Sequence, residues 1–219
     1  MVQNKEKEYS YEYERPAITV DIVVYTIKDN DLKVLLIERN LEPFKGMWAI
    51  PGGFVKKDET LDIAASRELF EETNVKDIYL EQLYSIGDPN RDPRGWVVTV
   101  AYFALISSDN LNIIANTDAK DVKWFSAYDL PKLAFDHEKI LMIALNRLRA
   151  KIEYTNVGFQ LLAKKFTLTE LQKTYEIILN KEMDKRNFRK KILSLDLLKA
   201  TEEYKREGNH RPARFYTFA

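Results

Sequence analysis

The stretch GFVKKDETLDIAASRELFEETNV (residues 53–75) contains four glutamates, and the spacing of the last three, Glu68, Glu71 and Glu72, determines how the chain is interpreted. Their positions are related as i, i+3 and i+4. In a helix from about residue 61 to residue 73, this spacing places the three carboxylates on one face, with Cβ atoms about 5–6 Å apart. Three like charges at this distance repel one another, so the spacing implies a nearby positive charge.

The opposite side of this helix carries Ile63, Leu69 and Phe70. We expect the helix to bury this apolar side and to hold its carboxylates over a cleft. Mg²⁺ or Mn²⁺ fits the need for a counter-charge, because both ions take oxygen ligands and keep waters and substrate phosphates. Taken alone, however, the three glutamates favour a solvated acidic surface, which is common on exposed helices.

The whole stretch matches the pattern G-x5-E-x7-R-E-U-x-E-E-x-G-U, in which U is an aliphatic residue. At a usage of roughly 1 in 20 per residue type, a chance match of six fixed positions is very improbable. The stretch therefore resembles the Nudix box. One position departs from it, since Asn74 replaces a glycine, but Asn tolerates the left-handed conformation of a helix C-cap. The six matching residues are Gly53, Glu59, Arg67, Glu68, Glu71 and Glu72.

The resemblance implies an α/β fold, the Nudix α/β/α sandwich. It also implies a Mg²⁺ site on Glu68, Glu71 and Glu72, and hydrolysis of a nucleoside diphosphate linked to a further group. By the same resemblance, Gly53 gives a backbone carbonyl to the metal, and Arg67 orients the catalytic glutamates. The family's general base often lies on a later loop, for which Asp118 and Asp121 are weak candidates.

The segments flanking the box, PFKGMWAIPGGFV before it and GDPNRDPRGWVVTVAYFAL after it, resemble Nudix enzymes that cleave ADP-ribose. This resemblance implies that Arg91 and Arg94 bind a phosphate or ribose of the ligand. An equally good interpretation is that both arginines belong to a solvated loop flanked by prolines.

Strand and helix patterns agree with a mixed fold. Residues 17–27 and 32–37 are apolar and rich in β-branched residues on either side of a turn at 29–31, which predicts a β-hairpin. Further strands are predicted at 78–86, 96–106 and 122–125, and a second helix at 137–152. Many strands with few helices indicate an α+β fold or an α/β/α sandwich.

Charge divides the chain into two parts. Residues 1–150 hold 19 Lys and Arg against 25 Asp and Glu, whereas residues 151–219 hold 15 against 9. This asymmetry predicts two domains, 1–150 and 151–219, and a polyanion partner for the second. The chain has no cysteine, no signal-peptide pattern and no apolar run long enough to cross a membrane, so we expect a cytoplasmic protein.

The basic part predicts a helix-turn-helix. Thr167 and Glu170 fit a capping box, ahead of an apolar stripe at helical spacing formed by Leu168, Leu171, Tyr175 and Ile178. A second helix over 185–195 would bury Phe188, Ile192 and Leu195, and would expose Arg186, Arg189 and Lys190. Such a second helix would lie in the major groove of DNA.

Two short strands within 199–218, turning at Gly208-Asn209, predict a β-wing beside these helices. A solvated basic surface would give the same composition, so the charges alone leave both interpretations open. The candidate DNA-contacting residues are Lys185, Arg186, Asn187, Arg189, Lys190, Arg211 and Arg214.

The order of a Nudix-like domain followed by a winged helix-turn-helix resembles the Nudix-related transcriptional regulators of bacteria. The resemblance implies a sensor for a small ligand, either ADP-ribose or arabinose, and binding of operator DNA by a homodimer. Of the two ligands, the resemblance slightly favours the pentose. The alternative is a Mg²⁺-dependent hydrolase of ADP-ribose, because the nearly complete box leaves residual hydrolysis open. The sequence does not identify the operator, or whether the ligand releases or recruits DNA.

Overall fold

The first sheet begins with a long β-hairpin. In the computed structural model, which describes residues 12–106, 113–115, 119–154, 161–206 and 212–218, strands β1 (Ala17–Lys28) and β2 (Asp31–Arg39) pair antiparallel. Asp29 and Asn30 between them both have positive φ, 54° and 57°. Asp and Asn tolerate this conformation, and two such residues give the turn whose twist matches the strands. The predicted hairpin is confirmed.

Five further strands complete this seven-stranded mixed sheet. The order is β3-β2-β1-β6-β5, with β4 paired to β1 and β7 paired to β2. Strands β1 and β6 are parallel, and the other pairs are antiparallel. The added strands are β3 (Trp48–Ala49), β4 (Gly52–Phe54), β5 (Glu81–Ile86), β6 (Val97–Leu105) and β7 (Ala119–Ser126).

Helices α1 (Leu61–Thr73) and α2 (His137–Tyr154) cover opposite faces of this sheet. Side chains of a strand alternate between its faces. Accordingly, Val23 and Tyr25 of β1 belong to the buried cluster that contains α2, whereas Ile22 and Val24 belong to the cluster that contains α1. The predicted α/β/α sandwich is confirmed.

The C-terminal part forms a winged helix. Strand β8 (Phe166–Thr167) leads into α3 (Leu168–Leu179) and α4 (Lys185–Leu193), followed by β9 (Leu198–Lys205) and β10 (Ala213–Phe218). The small sheet has the order β8-β10-β9. The capping box is present, with Thr167 Oγ1 accepting from Glu170 N and Glu170 Oε2 accepting from Thr167 N. The wing turn predicted at residues 208–209 lies outside the described residues.

One buried core joins the two parts of the chain. Tyr25 and Leu148 of the sandwich belong to the same cluster as Leu171, Ile178 and Phe188 of the winged helix. The domain boundary predicted after residue 150 falls inside α2, which continues to Tyr154. Among the described residues, no helix is long and apolar enough to cross a membrane.

Truncating this core should destabilise the whole chain. Ile178 is fully buried, so Ile178→Ala should lower the free energy of unfolding by about 2–5 kcal/mol. Because the cluster includes both parts, unfolding should remain a single transition in calorimetry. Leu193→Ala is the control, since Leu193 is 44% exposed and its loss should cost no more than about 0.5 kcal/mol. Two separated transitions in the wild-type chain would contradict the shared core.

Candidate functional site: a Nudix-box helix, a cationic cleft and a basic groove

Helix α1 buries a different face from the one expected. The prediction that Ile63 and Phe70 are buried is wrong, because they are 57% and 42% exposed, and of the three predicted residues only Leu69 is buried. Ala64 and Ala65 are fully buried instead. Their small side chains let α1 lie close to the sheet, and Glu72, only 7% exposed, accepts a 2.9 Å hydrogen bond from Gly52 N.

Arg67 supplies the positive charge that the glutamates require. Its Nε and Nη2 donate to the two oxygens of Glu59 at 2.8 and 2.6 Å, and its Nη1 donates to Glu68 at 2.6 Å and to Glu71 at 3.1 Å. The bond from Arg67 lowers the pKa of Glu59 to about 2. A single guanidinium therefore compensates three carboxylates of the box.

Gly53 leaves room for the carboxylate of Glu68. A Cβ added at Gly53 would lie 2.5 Å from the carboxyl carbon of Glu68, so a larger residue there would displace this carboxylate. Burial raises the pKa of Glu68, and Arg67 opposes this effect only in part.

The donor atoms of the box suit Mg²⁺ or Mn²⁺, because they are carboxylate and backbone oxygens. The described residues nevertheless contain no group of three or more His, Asp or Glu arranged to hold a metal. The reason is local, since Glu68 and Glu71 point at Arg67, and Glu72 points at Gly52 N. Metal binding would require these side chains to exchange their present partners.

Asn74 ends α1 as the sequence predicts. Its φ is 61° and its N–H donates to Phe70 O at 2.9 Å, which is the left-handed C-cap that glycine usually provides. The departure from the box pattern therefore leaves the helix end intact.

A cleft lies beside the box, between β1, the loop at 87–95 and the start of α2. His137 is buried, and its Nδ1 accepts a hydrogen bond from Ile50 N at 2.9 Å. Burial lowers the pKa of His137, so the ring is neutral, with its proton on Nε2, 3.6 Å from Asp21 Oδ1. Asp21 also lies 3.5 Å from Arg91 Nη2.

The two arginines predicted to bind ligand differ in their surroundings. The Arg91 side chain is 5% exposed and pairs with Asp136 at 2.6 Å, so its guanidinium already has carboxylate partners. The Arg94 side chain is 39% exposed, pairs with Asp92 at 2.6 Å and stacks on the ring of Phe54. Both residues line the cleft, but Arg94 is the one with an accessible surface.

A third arginine, Arg39, lines the same cleft and was missed in the sequence. Its guanidinium carbon lies 4.8 Å from the centre of the Phe135 ring, and that of Arg94 lies 5.3 Å from the same centre. Arg39 donates to the backbone carbonyls of Pro43 and Leu41, and burial, assisted by Arg94, lowers its pKa. Arg39 is the last residue of β2 and belongs to no sequence motif, so only the tertiary packing reveals that it lies beside Arg94.

The two candidates for the general base remain predictions. Asp118 lies outside the described residues. Asp121 lies on β7, pairs with Lys123 and accepts a 2.8 Å bond from Val122 N.

A basic groove runs between α4 and the wing. Lys185 and Arg189 of α4 line it together with Lys205 and Arg214 of the wing strands. Arg186, Asn187 and Lys190 are exposed on the same helix, and Arg211 lies outside the described residues.

Two details of α4 differ from the prediction. Arg189 is half-buried, with its Nη2 3.4 Å from Thr169 Oγ1 on α3, because α4 packs against the first turn of α3. Leu195 was expected to be buried, but α4 ends at Leu193 and Leu195 is 44% exposed. Phe188 and Ile192 are buried as predicted.

Both parts of the chain match families of known proteins. The NUDIX domain matches residues 16–143, and the NrtR DNA-binding winged helix domain matches residues 158–218. The ADPR responsive transcriptional repressor NtrR of Acinetobacter baylyi is 41% identical over 212 residues, which cover 95% of this chain and 84% of the repressor.

Solved structures agree with this result. Shewanella oneidensis NrtR complexed with a 27mer DNA is 40% identical, with a TM-score of 0.80 over 92% of this chain and 93% of that one. The Nudix domain of the same protein, complexed with ADP ribose, is 42% identical, with a TM-score of 0.57 over 62% of this chain and 90% of that one. The chain therefore belongs to the Nudix family, in the group of Nudix-related regulators that carry an NrtR DNA-binding winged helix domain after the Nudix domain.

Proposed function

We propose that this chain is a transcriptional regulator whose winged helix binds operator DNA and whose Nudix domain senses ADP-ribose. The observation that carries the proposal is the basic groove, in which Lys185 and Arg189 of α4 face Lys205 and Arg214 of the wing. Lys205 pairs with Glu170 and Arg214 with Glu202, but four cations against two carboxylates leave the groove positive, which suits the phosphates of a duplex. The similarity to an NrtR crystallised with DNA supports the same conclusion.

The proposed effector site is the cleft of the Nudix domain. Arg39 and Arg94 stack on one aromatic ring and line the same cleft, so two positive charges lie within reach of one ligand. A diphosphate could bind both guanidiniums, reaching Arg94 on the surface that its pair with Asp92 leaves exposed, whereas a neutral pentose would offer them no negative charge. For this reason we propose ADP-ribose in place of the arabinose favoured by the sequence, and a related Nudix domain was crystallised with ADP ribose.

The size of the cleft restricts how ADP-ribose would bind. Its volume is about 60 Å³, well below the roughly 300–1,000 Å³ of sites that enclose a whole ligand of this size. The phosphates would therefore lie against Arg39 and Arg94, with the rest of the ligand on the neighbouring surface unless the loop at 87–95 opens. In either arrangement the ligand would lie near His137, the first residue of α2, which lines the cleft.

Operator binding by a homodimer is part of the proposal. Winged-helix and helix-turn-helix proteins that act as dimers read two half-sites, so the operator would be palindromic. We propose Arg186, Asn187 and Lys190 as the residues of α4 that enter the major groove, because they are among its exposed polar side chains. Arg214 would contact the backbone from the wing.

Hydrolysis of ADP-ribose is the alternative function. Glu68, Glu71, Glu72 and the carbonyl of Gly53 would hold Mg²⁺, which when bound would supply positive charge to the phosphate oxygens. Arg67 now occupies the carboxylates that such an ion would need. We therefore propose weak metal binding and slow or absent turnover.

Reversing charges on α4 should abolish operator binding. Arg186→Glu with Arg189→Glu removes two cations from the basic face, so binding to the DNA upstream of the protein's own gene should be lost in a fluorescence anisotropy titration. The wild-type affinity should fall with salt, with a slope of about −0.9 per phosphate contact on a log–log plot. Lys57→Glu with Lys76→Glu changes the charge equally on the exposed Nudix surface and should leave binding intact. Undetectable or salt-independent DNA binding by the wild type would refute the proposal that this chain is a transcriptional regulator.

Removing Arg94 should weaken ADP-ribose binding, and because it also removes the partner of the buried Asp92, the melting temperature of the variant is measured alongside. Arg94→Ala loses one charge-assisted contact, worth about 1.5–3 kcal/mol, so calorimetry should show ADP-ribose affinity reduced roughly 10- to 150-fold. Arg206→Ala, an exposed arginine of the winged helix, is the control for this titration. In the wild type, ADP-ribose should shift DNA affinity by about 1–3 kcal/mol. If neither ADP-ribose nor arabinose alters DNA binding at millimolar concentration, the proposed effector site is wrong.

Neutralising the box should separate metal binding from DNA binding. The triple change Glu68→Gln, Glu71→Gln and Glu72→Gln keeps the hydrogen-bond acceptors but removes the charges, so Mn²⁺ binding followed by electron paramagnetic resonance should be lost. Operator affinity should stay within about twofold, since the groove is made by other residues. If the wild type hydrolyses ADP-ribose at about 1–10³ s⁻¹ and these changes abolish the hydrolysis, the alternative function of a hydrolase is established instead.

A further inference from the structure

Two side chains of the Nudix part meet the C-terminal end of helix α3. The hydroxyl of Tyr128 lies 2.5 Å from Ile177 O and 2.9 Å from Ile178 O. Arg149, on α2, donates from Nε to Ile178 O at 3.1 Å. Both contacts cross from the sandwich to the winged helix.

The chemistry of these contacts is that of a helix cap. The last carbonyls of a helix lack partners in the helix and carry partial negative charge, which a cation stabilises. Within α3, Asn180 N donates to Glu176 O and Ile177 O. Ile178 O is instead reached by Tyr128 and Arg149, so the Nudix part completes the end of this helix.

Tyr128 and Arg149 also hold each other. The guanidinium carbon of Arg149 lies 5.6 Å from the centre of the Tyr128 ring. Burial raises the pKa of Tyr128, and the neighbouring Arg149 opposes this effect only in part, so the hydroxyl keeps its proton. The pair therefore acts as one unit with two donors aimed at the same helix end.

Helix α2 links this pair to the cleft. His137, its first residue, lines the cleft, and Asp136 just before it is bonded to Arg91. Arg149 lies twelve residues further along the same helix, a distance of about 18 Å at 1.5 Å per residue. A buried hydrogen bond from the Tyr25 hydroxyl to Leu141 O joins the second turn of α2 to the sheet.

Helix α3 is in turn fixed to α4. Gln172 Nε2 donates to Met183 O at 2.9 Å, and Met183 N donates to Glu176 at 3.0 Å. The rings of Tyr175 and Phe188 pack edge to face, with centres 5.3 Å apart. A displacement of the end of α3 is therefore transmitted to the basic face of α4.

We propose that Tyr128 and Arg149 are the positioning residues through which occupancy of the cleft sets the orientation of α3 and α4. This inference rests on the proposed function, an effector that alters DNA affinity. Neither Tyr128 nor Arg149 lines the cleft or the basic groove. Their removal should thus disconnect the two sites while leaving each one able to bind.

Two substitutions test the pair. Tyr128→Phe deletes only the hydroxyl and keeps the ring on which Arg149 stacks, and Arg149→Gln removes the charge but keeps a donor. For each full-length variant, ADP-ribose affinity is measured without DNA, and operator affinity is measured with and without ADP-ribose. We expect ADP-ribose affinity within about twofold of the wild type. The factor by which ADP-ribose changes operator affinity should fall at least fivefold in the double variant. Tyr79→Phe, at a tyrosine 73% exposed, should leave that factor unchanged.

The outcomes separate this inference from the proposed function. If ADP-ribose has no effect on DNA binding by the wild type, the proposed function fails. If the wild type responds and the double variant responds equally, the coupling role of Tyr128 and Arg149 is overturned.

Hydrogen exchange of the wild type keeps the test valid even if a variant does not fold. ADP-ribose should change the exchange of amides at the end of α3 at least threefold, whereas unchanged exchange there, with ADP-ribose bound, would also overturn the inference. Arg149→Lys should retain an intermediate response, because it keeps the charge without the planar stack.

Discussion

The buried cluster that α2 shares between the sheet and α3 is the constraint on which the rest of the structure depends. Ile140, Leu148 and Ile152 of α2 lie in this cluster together with Leu171 and Ile178 of α3. Protein interiors are close-packed, so a shift on one side of such a cluster must be accommodated on the other. A sensor and a DNA-binding domain joined only by a linker would lack this constraint.

The box and the adjoining cleft differ in the sign of their excess charge, because their charged side chains are paired differently. In the box, Arg67 is surrounded by the carboxylates of Glu59, Glu68 and Glu71, and negative charge is in excess. In the cleft, Arg39 and Arg94 meet on the Phe135 ring, and positive charge is available to a ligand. Phosphate groups would therefore be attracted to the arginine side, and a cation to the glutamate side.

The sequence predicted the features that depend on neighbouring residues, but not those that depend on tertiary packing. The hairpin with Asp29 and Asn30, the left-handed Asn74 and the capping box at Thr167 follow from residues close in the chain, and each was predicted correctly. The burial of Glu72, the position of Arg39 and the contact of Tyr128 with α3 depend on residues far apart in sequence. Ile63 and Phe70 were misplaced because periodicity shows that a helix has two faces, but the neighbouring sheet decides which one is buried.

The nearly complete box is compatible with a regulator once its structural contacts are considered. Glu72 satisfies the N–H of Gly52, and a buried donor left without its partner costs about 1–3 kcal/mol. Arg67 ties Glu59, in the loop before α1, to Glu68 and Glu71 on the helix, so the loss of any one carboxylate weakens the connection between loop and helix. Gly53 lets the carboxylate of Glu68 lie against the backbone, where a Cβ would displace it. Each of these residues thus has a role in holding the helix against the sheet, and their presence does not by itself require that a phosphate bond is broken.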